Sequence, residues 1–215
     1  EERPVFIDRQ DAGRRLGAAL RHADVRASVV LGLPRGGVPV AAEVAAALDL
    51  PLDVIVVRKL GLPTHPEVAM GSIGEDGVRL LDPGMIRDAG VSRAQLDDVE
   101  SRERETLDRR ARLLRGGAAR RDLTGQAVLI VDDGIATGAT ASAACLVARR
   151  LGAAQVVVAA PVGAPDAARR IVGADRVFCL EQPEDFRAVG ASYRRFDQTT
   201  DDEVVRLLAR TGTAS

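Results

Sequence analysis

The segment VLIVDDGIATGAT, residues 128–140, decides the fold prediction for this chain. It begins with four apolar residues, continues with two adjacent aspartates and ends in a run of small residues. The apolar run predicts a buried strand of a parallel sheet, and the pattern that follows it predicts a helix at about 138–151. In such sheets the loops at the carboxyl ends of the strands line the ligand-binding crevice. We therefore expect residues 132–140 to form a ligand site.

The loop after this strand has the composition of a phosphate-binding loop. Gly134 and Gly138 permit tight backbone geometry, and the hydroxyls and the helix N-terminus that follow add donors for an anion. Asp132 and Asp133 would repel a phosphate, but their carboxylates can accept hydrogen bonds from the vicinal hydroxyls of a sugar, directly or through a divalent cation. An acidic strand end that caps the next helix is the alternative, and it accounts for only one of the two acids. The segment predicts a phosphorylated sugar as the ligand.

The same alternation of apolar runs and helical stretches continues along the chain. It predicts a single α/β domain over the 215 residues, with a doubly wound, mostly parallel five-stranded sheet. The predicted strands are 28–33, 53–58, 127–132, 155–160 and 176–180. The predicted helices are about 9–22, 37–49, 92–115, 138–151, 164–172 and 200–210.

Two segments interrupt the alternation. Residues 60–91 are rich in Gly, Pro and charge, which predicts a long loop. A hairpin around residues 75–77 within this loop is an open alternative. The helix at 92–115 carries acidic and arginine residues four positions apart, so we expect a solvated helix beside the loop. Ser92 and Gln95 predict a capping box at its start.

Composition argues against several functional classes. Thirty basic and 31 acidic residues give a net charge of −1, so there is no global field to attract nucleic acid or a membrane surface. No apolar run reaches the roughly 18 residues of a membrane span, and the charged first ten residues are not typical of a signal sequence. Cys145 and Cys179 are expected to pack as small apolar groups, and two histidines form no zinc cluster. These observations favour a cytoplasmic protein without a nucleic-acid or membrane partner.

A second strand–loop–helix unit, LGLPRGGVPVAAEVA, occupies residues 31–45. Its loop consists of Pro34, Arg35, Gly36 and Gly37. The glycines can present backbone amides, and Arg35 can donate two parallel hydrogen bonds to phosphate oxygens. A tight turn whose arginine lies in solvent is the alternative. Doubly wound order would place this strand beside strand 127–132, so we expect the two loops to converge.

Taken together, these motifs resemble the type I phosphoribosyltransferases. The segment 128–140 is similar to the family's signature for phosphoribosyl diphosphate (PRPP), in which two acids precede a Thr-Gly turn. The resemblance implies that Asp132 and Asp133 hold the ribose 2′- and 3′-hydroxyls. It also implies that the 5′-phosphate is bound by Ala136, Thr137, Gly138, Ala139 and Thr140. The ordered motifs are most similar to a group of bacterial phosphoribosyltransferases of undefined substrate.

The resemblance assigns further parts of the site. The loop at 34–37 matches the pyrophosphate loop, which often contains a non-proline cis peptide, here expected at Pro34–Arg35. Arg58 and Lys59 match an Arg-Lys pair of adenine- and orotate-type members and become candidates for pyrophosphate or base-side contacts. Residues 60–91 take the place of the flexible catalytic loop. Within that loop, the polar side chains best placed to reach the site are His65 and Glu67, although exposure to solvent is the simpler interpretation.

The C-terminal part of the chain, residues 181–197, matches the small hood that recognises the base in this family. Phe186 and Tyr193 could stack on an aromatic base, or they could close a small core. Ala136 stands where hypoxanthine-guanine members carry an aspartate, which argues against a 6-oxopurine.

The resemblance implies Mg²⁺-dependent transfer of a 5-phosphoribosyl group from PRPP to a nitrogen acceptor, a nucleobase, with release of pyrophosphate. The expected catalytic residues are Arg35, Lys59, Asp132 and Asp133. Mg²⁺ is expected to bind mainly to PRPP oxygens, with no direct protein ligand. A PRPP- or nucleotide-sensing domain that does not transfer is the alternative. A homodimer is compatible with the family.

Overall fold

The structure is a computed structural model that describes residues 5–211, and it confirms the α/β fold. The strands are β1 (Val29–Gly32), β2 (Leu52–Val54), β3 (Val57–Gly61), β4 (Ala69–Gly74), β5 (Arg79–Leu81), β6 (Ala127–Val131), β7 (Gln155–Val162) and β8 (Arg176–Glu181). The helices are α1 (Arg9–His22), α2 (Gly37–Leu48), α3 (Pro83–Asp88), α4 (Arg93–Leu114), α5 (Ala139–Arg150), α6 (Ala167–Arg170) and α7 (Asp201–Thr211), with a 3-10 turn at Val189–Ser192. Among the described residues, no helix is both long and apolar enough to cross a membrane.

The central sheet has five parallel strands in the order β2-β1-β6-β7-β8. The chain runs outward from β1 to β2 and then returns to the other side of β1 to form β6. The strand order therefore reverses between β1 and β6, and their carboxyl ends flank the crevice where ligands bind in such sheets. The loops at 34–37 and 132–140 leave these two strand ends.

Both faces of the central strands are covered. Val30 of β1 and Leu129 of β6 pack in the layer formed by α1 and α2, while the next residues of the two strands, Leu31 and Ile130, pack in the layer of α5. Because the strands are buried on both sides, their sequences are continuous apolar runs without alternation. This is why β1, β6 and β7 could be predicted with ends that differ by no more than two residues, and the half-buried edge strand β8 was predicted to within one residue as well.

The strand predicted at 53–58 is wrong, because the chain changes sheets within it. β2 ends at Val54, and β3 begins at Val57 in a second, antiparallel sheet with the order β3-β4-β5. Ile55 and Val56 connect the two sheets and are both buried, Ile55 in the core beside α5 and Val56 in the core beside α4. The apolar run is therefore unbroken where the backbone leaves the first sheet.

The long loop predicted at 60–91 is also wrong for most of its length. It contains β4, β5 and α3, and the hairpin around residues 75–77 is confirmed as the connection between β4 and β5. Two glycines permit this packing: a side chain at Gly71 would overlap the carbonyl of Leu80, and one at Gly74 would overlap Val147 of α5. The glycines that suggested a loop instead allow close contact between layers.

Helix α4 covers the second sheet. Its buried residues, among them Leu107 and Leu114, pack with Leu60, Met70 and Ile73 of the strands. The opposite face carries the exposed ion pairs that the sequence predicted. Of the helix predicted at 164–172, only the four residues of α6 are helical.

Candidate functional site

The two predicted loops meet at the carboxyl edge of β1 and β6. A side chain added at Gly37 would come within 3.0 Å of Asp132 Oδ1, and one at Gly36 would overlap the carboxylate of Asp133. The backbone of the first loop therefore lies directly against the acid pair. The peptide bond Pro34–Arg35 is cis, as expected.

The two carboxylates of the acid pair have different surroundings. Asp132 Oδ1 accepts a hydrogen bond from the backbone N–H of Asp133 at 2.9 Å. Burial and, second, the charge of the neighbouring Asp133 raise the pKa of Asp132 well above its ordinary value. Asp133 instead forms an ion pair with Arg9, whose Nε lies 3.0 Å from Oδ2. The pair thus combines a carboxylate held by a cation with one whose charge is disfavoured.

Arg9 is a site residue that sequence reasoning missed. Asp8 caps α1 by accepting a hydrogen bond from the backbone N–H of Asp11, and this places Arg9 at the first position of the helix. The preceding Phe6 forms a β-bridge with Tyr193, so the start of α1 is fixed beside the C-terminal segment. Arg9 and Asp133 are 124 positions apart, and no motif or spacing links them.

The second loop forms a small pocket beside the acid pair. The pocket has a volume of about 160 Å³ and is lined by Asp132, by residues 134–141 and by Val189. Gly138 is the N-cap of helix α5, with φ of +80° and no capping side chain. The N–H of Ala139 donates to Thr137 Oγ1 at 3.3 Å, and the next first-turn amides remain as donors at the pocket. Ile135 exchanges backbone hydrogen bonds with Val162 and Ala164, which anchors the loop to the end of β7.

The exposed surface of this pocket includes four of the five residues predicted to bind the 5′-phosphate. Ala136, Thr137, Ala139 and Thr140 are exposed, while Gly138 is buried. Val189 lies in the predicted hood 181–197 but was not singled out as a site residue; it packs so closely that a side chain on Gly134 would overlap it. Through Val189, the C-terminal segment forms part of the pocket.

Arg35, predicted to bind pyrophosphate, lies between the crevice and the C-terminal helix. Its Nη1 is 3.9 Å from Asp201 Oδ1, and the same oxygen is 3.8 Å from Nη2 of Arg110 on α4. Asp201 Oδ1 is buried and has no hydrogen-bond partner in the structure. Arg35 is therefore held electrostatically by α7 without being fixed by a hydrogen bond to it.

Arg58 and Lys59 do not join the acid pair in this structure. Arg58 forms an ion pair with Glu103 of α4, and Lys59 Nζ donates to the backbone oxygen of Glu67 at 2.9 Å. The two residues line a separate depression of about 500 Å³ between β3 and α4. Their role with pyrophosphate stays a prediction.

The loop residues predicted to reach the site lie at the surface. His65 and Glu67 belong to the exposed connection between β3 and β4. His65 Nδ1 is within hydrogen-bond distance of its neighbour Thr64, at 3.0 Å from Oγ1. No contact joins either side chain to the acid pair within residues 5–211, and their place in the site stays a prediction.

The prediction that Tyr193 stacks on a base is corrected by the structure. Its side chain is 5% exposed and packs between Phe6 and Phe196, with ring centroids 5.5 and 5.0 Å away. The phenol O–H donates to the backbone oxygen of Asp133 at 2.6 Å, and burial raises its pKa, so it stays protonated. No ring face is open to a base. Phe186 is half-buried against the same interior, as expected if it closes a small core.

The described residues contain no group of three or more His, Cys, Asp or Glu side chains arranged to hold a metal ion. Asp132 and Asp133 nevertheless present carboxylate oxygens in the crevice, and such oxygens are the donors that Mg²⁺ prefers. The two carboxylates therefore fit a Mg²⁺ ion that a bound phosphate compound coordinates with most of its ligands.

Comparisons with known proteins agree with this geometry. The family model described as "Phosphoribosyl transferase domain" matches residues 10–194. Rv0571c of Mycobacterium tuberculosis H37Rv, provisionally named a phosphoribosyl transferase, is 56% identical over 207 residues, which cover 96% of this chain and 47% of that protein. The chain thus spans about half the length of this relative. The crystal structure of TT1426 from Thermus thermophilus has a TM-score of 0.85 and 43% identity, covering 95% of this chain and 98% of the other.

Proposed function

The chain belongs to the phosphoribosyl transferase domain family, and from that premise we propose that it transfers a 5-phosphoribosyl group from PRPP to a nitrogen acceptor, a nucleobase or a similar ring. In this reaction the bond from C1 of the ribose to the diphosphate oxygen breaks, a bond from C1 to the acceptor nitrogen forms, and the acceptor loses a proton. The observation that carries the proposal is the contact of the loop at 34–37 with Asp132 and Asp133.

Each part of the crevice suits one part of PRPP. Asp132 and Asp133 can accept hydrogen bonds from the ribose hydroxyls, and the pocket at the start of α5 offers amides and hydroxyls to the 5′-phosphate. We propose that the backbone amides of Arg35 and Gly36, with the guanidinium of Arg35, bind the diphosphate, since Pro34 has no N–H and the N–H of Gly37 donates to Leu33 O at 3.0 Å. Donors fixed at a leaving group stabilise the charge that develops on it, which accelerates the transfer.

Mg²⁺ is proposed as the cofactor, bound mainly by the diphosphate and ribose oxygens of PRPP. When bound, it would neutralise negative charge on the departing diphosphate. The chain's own contribution at this point is the pair of carboxylates, which orient the ribose beneath the diphosphate loop.

The segment 60–91 is proposed to cover the bound substrate and keep water from the reacting ribose. Its strands are held in place, since Arg104 of α4 donates to the backbone oxygens of Gly74 and Val78 at the hairpin. The connection 63–68 between β3 and β4 is exposed, and we propose that it is the part that closes over the substrate. A cytoplasmic location is proposed from the composition, and a homodimer from the family resemblance alone.

The test is pyrophosphate release from PRPP and Mg²⁺ across a panel of nucleobases. We expect turnover with at least one base, and not with a 6-oxopurine, because Ala136 supplies no carboxylate. The variant D132N/D133N should lose turnover while its far-ultraviolet circular dichroism stays unchanged. The matched control is D97N/D98N, two adjacent acids on the exposed face of α4, which should keep full activity.

Each outcome of this panel decides between two functions. Turnover that persists in D132N/D133N would contradict the assignment of the site. Binding of PRPP by the unchanged chain without pyrophosphate release on any base would instead indicate a PRPP-sensing domain.

A further inference from the structure

We propose that Arg9 is a positioning residue of the PRPP site, which holds the carboxylate of Asp133 and links the ribose-binding acids to the diphosphate loop. The inference rests on the proposed function. It adds a residue just outside the segment 10–194 that matches the family model.

The guanidinium of Arg9 is fixed on several sides. Nε lies 3.0 Å from Asp133 Oδ2, with side-chain exposures of 13% for Arg9 and 15% for Asp133. Nη1 donates to the backbone oxygen of Asp197, and the guanidinium carbon lies 4.0 Å from the centre of the Phe196 ring. A planar cation held by an aromatic face and by two oxygens has little freedom to turn.

The remaining side of the guanidinium lies against the diphosphate loop. A side chain built on Gly36 would come within 3.1 Å of both Nε and Nη2 of Arg9. The same guanidinium therefore contacts an acid of one loop and the backbone of the other. A lysine in this place would present a single ammonium group and could not make both contacts in the same way.

Charge gives this contact a functional reason. Two adjacent carboxylates would repel a ligand that carries a 5′-phosphate and a diphosphate. The positive charge of Arg9 offsets the negative charge of Asp133. Burial and the charge of Asp133 raise the pKa of Asp132, which disfavours a second negative charge there. The acid pair can then accept ribose hydroxyls at a lower cost in repulsion.

The test compares PRPP affinity and kinetics of R9Q, R9K and a matched control, R15Q. Arg15 lies on the same helix, with its guanidinium carbon 4.7 Å from the centre of the Phe6 ring, and it pairs with Glu181 at 3.8 Å without contacting either loop. We expect R9Q to raise the Kd and the KM for PRPP by about tenfold or more, as for loss of a charged hydrogen-bond donor. R9K should recover only part of this loss, the KM for the acceptor should stay unchanged, and R15Q should bind PRPP like the unchanged chain.

A double-mutant cycle separates positioning from a general loss of structure. If Arg9 acts through Asp133, the Kd of R9Q/D133N should equal that of D133N alone. Full additivity, or an R9Q affinity within about twofold of the unchanged chain, would overturn the inference, since twofold is far below the effect of a charged hydrogen bond. If R9Q does not fold, R9K replaces it in the same cycle. A Kd for PRPP of R9K equal to that of the unchanged chain would then overturn the inference. Failure of the unchanged chain to bind PRPP would instead contradict the proposed function, so the two failures are distinguishable.

Discussion

At the scale of single residues, Asp132 and Asp133 are chemically identical neighbours whose environments differ. Asp133 lies beside a guanidinium, whereas Asp132 accepts a hydrogen bond from the backbone N–H of Asp133 and lies beside the charge of that neighbour. Burial and that neighbouring charge are the reasons for the raised pKa of Asp132. The difference has a consequence for the pH dependence of stability, because a raised pKa in the folded state means that folding favours the protonated acid.

Asp132→Asn is expected to stabilise the protein at alkaline pH. Asparagine resembles the protonated acid, so the two proteins should have similar stability below the ordinary pKa of 3.8. As the pH rises from this value towards the folded pKa of about 8, the unchanged protein loses stability that the variant keeps, by about 1.4 kcal/mol for each unit of pKa elevation, and the difference levels off above the folded pKa. Thermal melting from pH 4 to pH 9 should show a gap that widens with pH, by about 2–4 °C for each kcal/mol. A gap that does not change with pH, or one that D97N shows as well, would contradict the prediction.

Residues that lie far apart in sequence were the part of the site that could not be predicted. Asp132, Asp133, Gly36 and Gly37 belong to local patterns, and the structure brings those patterns together. Arg9 reaches the site because the segment around Phe6 packs against the segment around Tyr193, and single-sequence periodicity contains no record of such contacts.

At the scale of secondary-structure elements, the connection between the two sheets depends on Arg115, which follows α4. Its Nε lies 2.8 Å from Asp53 Oδ1 of β2, and Nη2 donates to Glu75 Oε2 in the β4–β5 hairpin at 2.9 Å and to Val54 O at 3.0 Å. Its side chain is 6% exposed. One buried cation therefore joins the edge of the central sheet, the end of α4 and the hairpin.

Arg115→Ala is expected to destabilise the fold by about 3–5 kcal/mol, since it leaves two buried carboxylates without their cation. The free energy of unfolding in urea measures the loss. The control is Arg109→Ala on the same helix, whose exposed pair with Glu105 should be worth less than about 1 kcal/mol. If both variants lose the same small amount, the buried cluster does not hold the hairpin in the way described.

The same elements show where the sequence was sufficient and where it was not. The capping box of Ser92 and Gln95 is confirmed by hydrogen bonds of 3.2 and 2.9 Å, because a capping box is a local interaction encoded within four residues. The break at Ile55 and Val56 could not be seen, since both residues are buried and the apolar run continues across it. Pattern reasoning identifies burial, but it cannot tell which of two cores a residue enters.

At the scale of the whole molecule, two segments far apart in the sequence, around Phe6 and around Tyr193, meet at the acid loop. Phe6 and Tyr193 belong to one buried cluster, and the Phe6 N–H donates to Ser192 O at 2.9 Å. Tyr193 then donates its O–H to the backbone oxygen of Asp133. The N-terminal and C-terminal segments are therefore part of what fixes the position of the acid pair.

Tyr193→Phe tests this view, because it keeps the ring and removes only the hydroxyl. The backbone oxygen of Asp133 would lose its buried donor, so we expect a loss of about 1–2 kcal/mol in unfolding free energy. PRPP at one hundred times its Kd should stabilise the unchanged chain by about 2.7 kcal/mol. If the hydroxyl positions the acid loop, the variant should bind PRPP more weakly, and the same PRPP concentration should stabilise it less. Leu113→Ala, at an exposed apolar position of α4, is the control and should leave the PRPP effect unchanged. A variant that loses stability but keeps the full PRPP effect would show that the hydroxyl supports the fold without positioning the site.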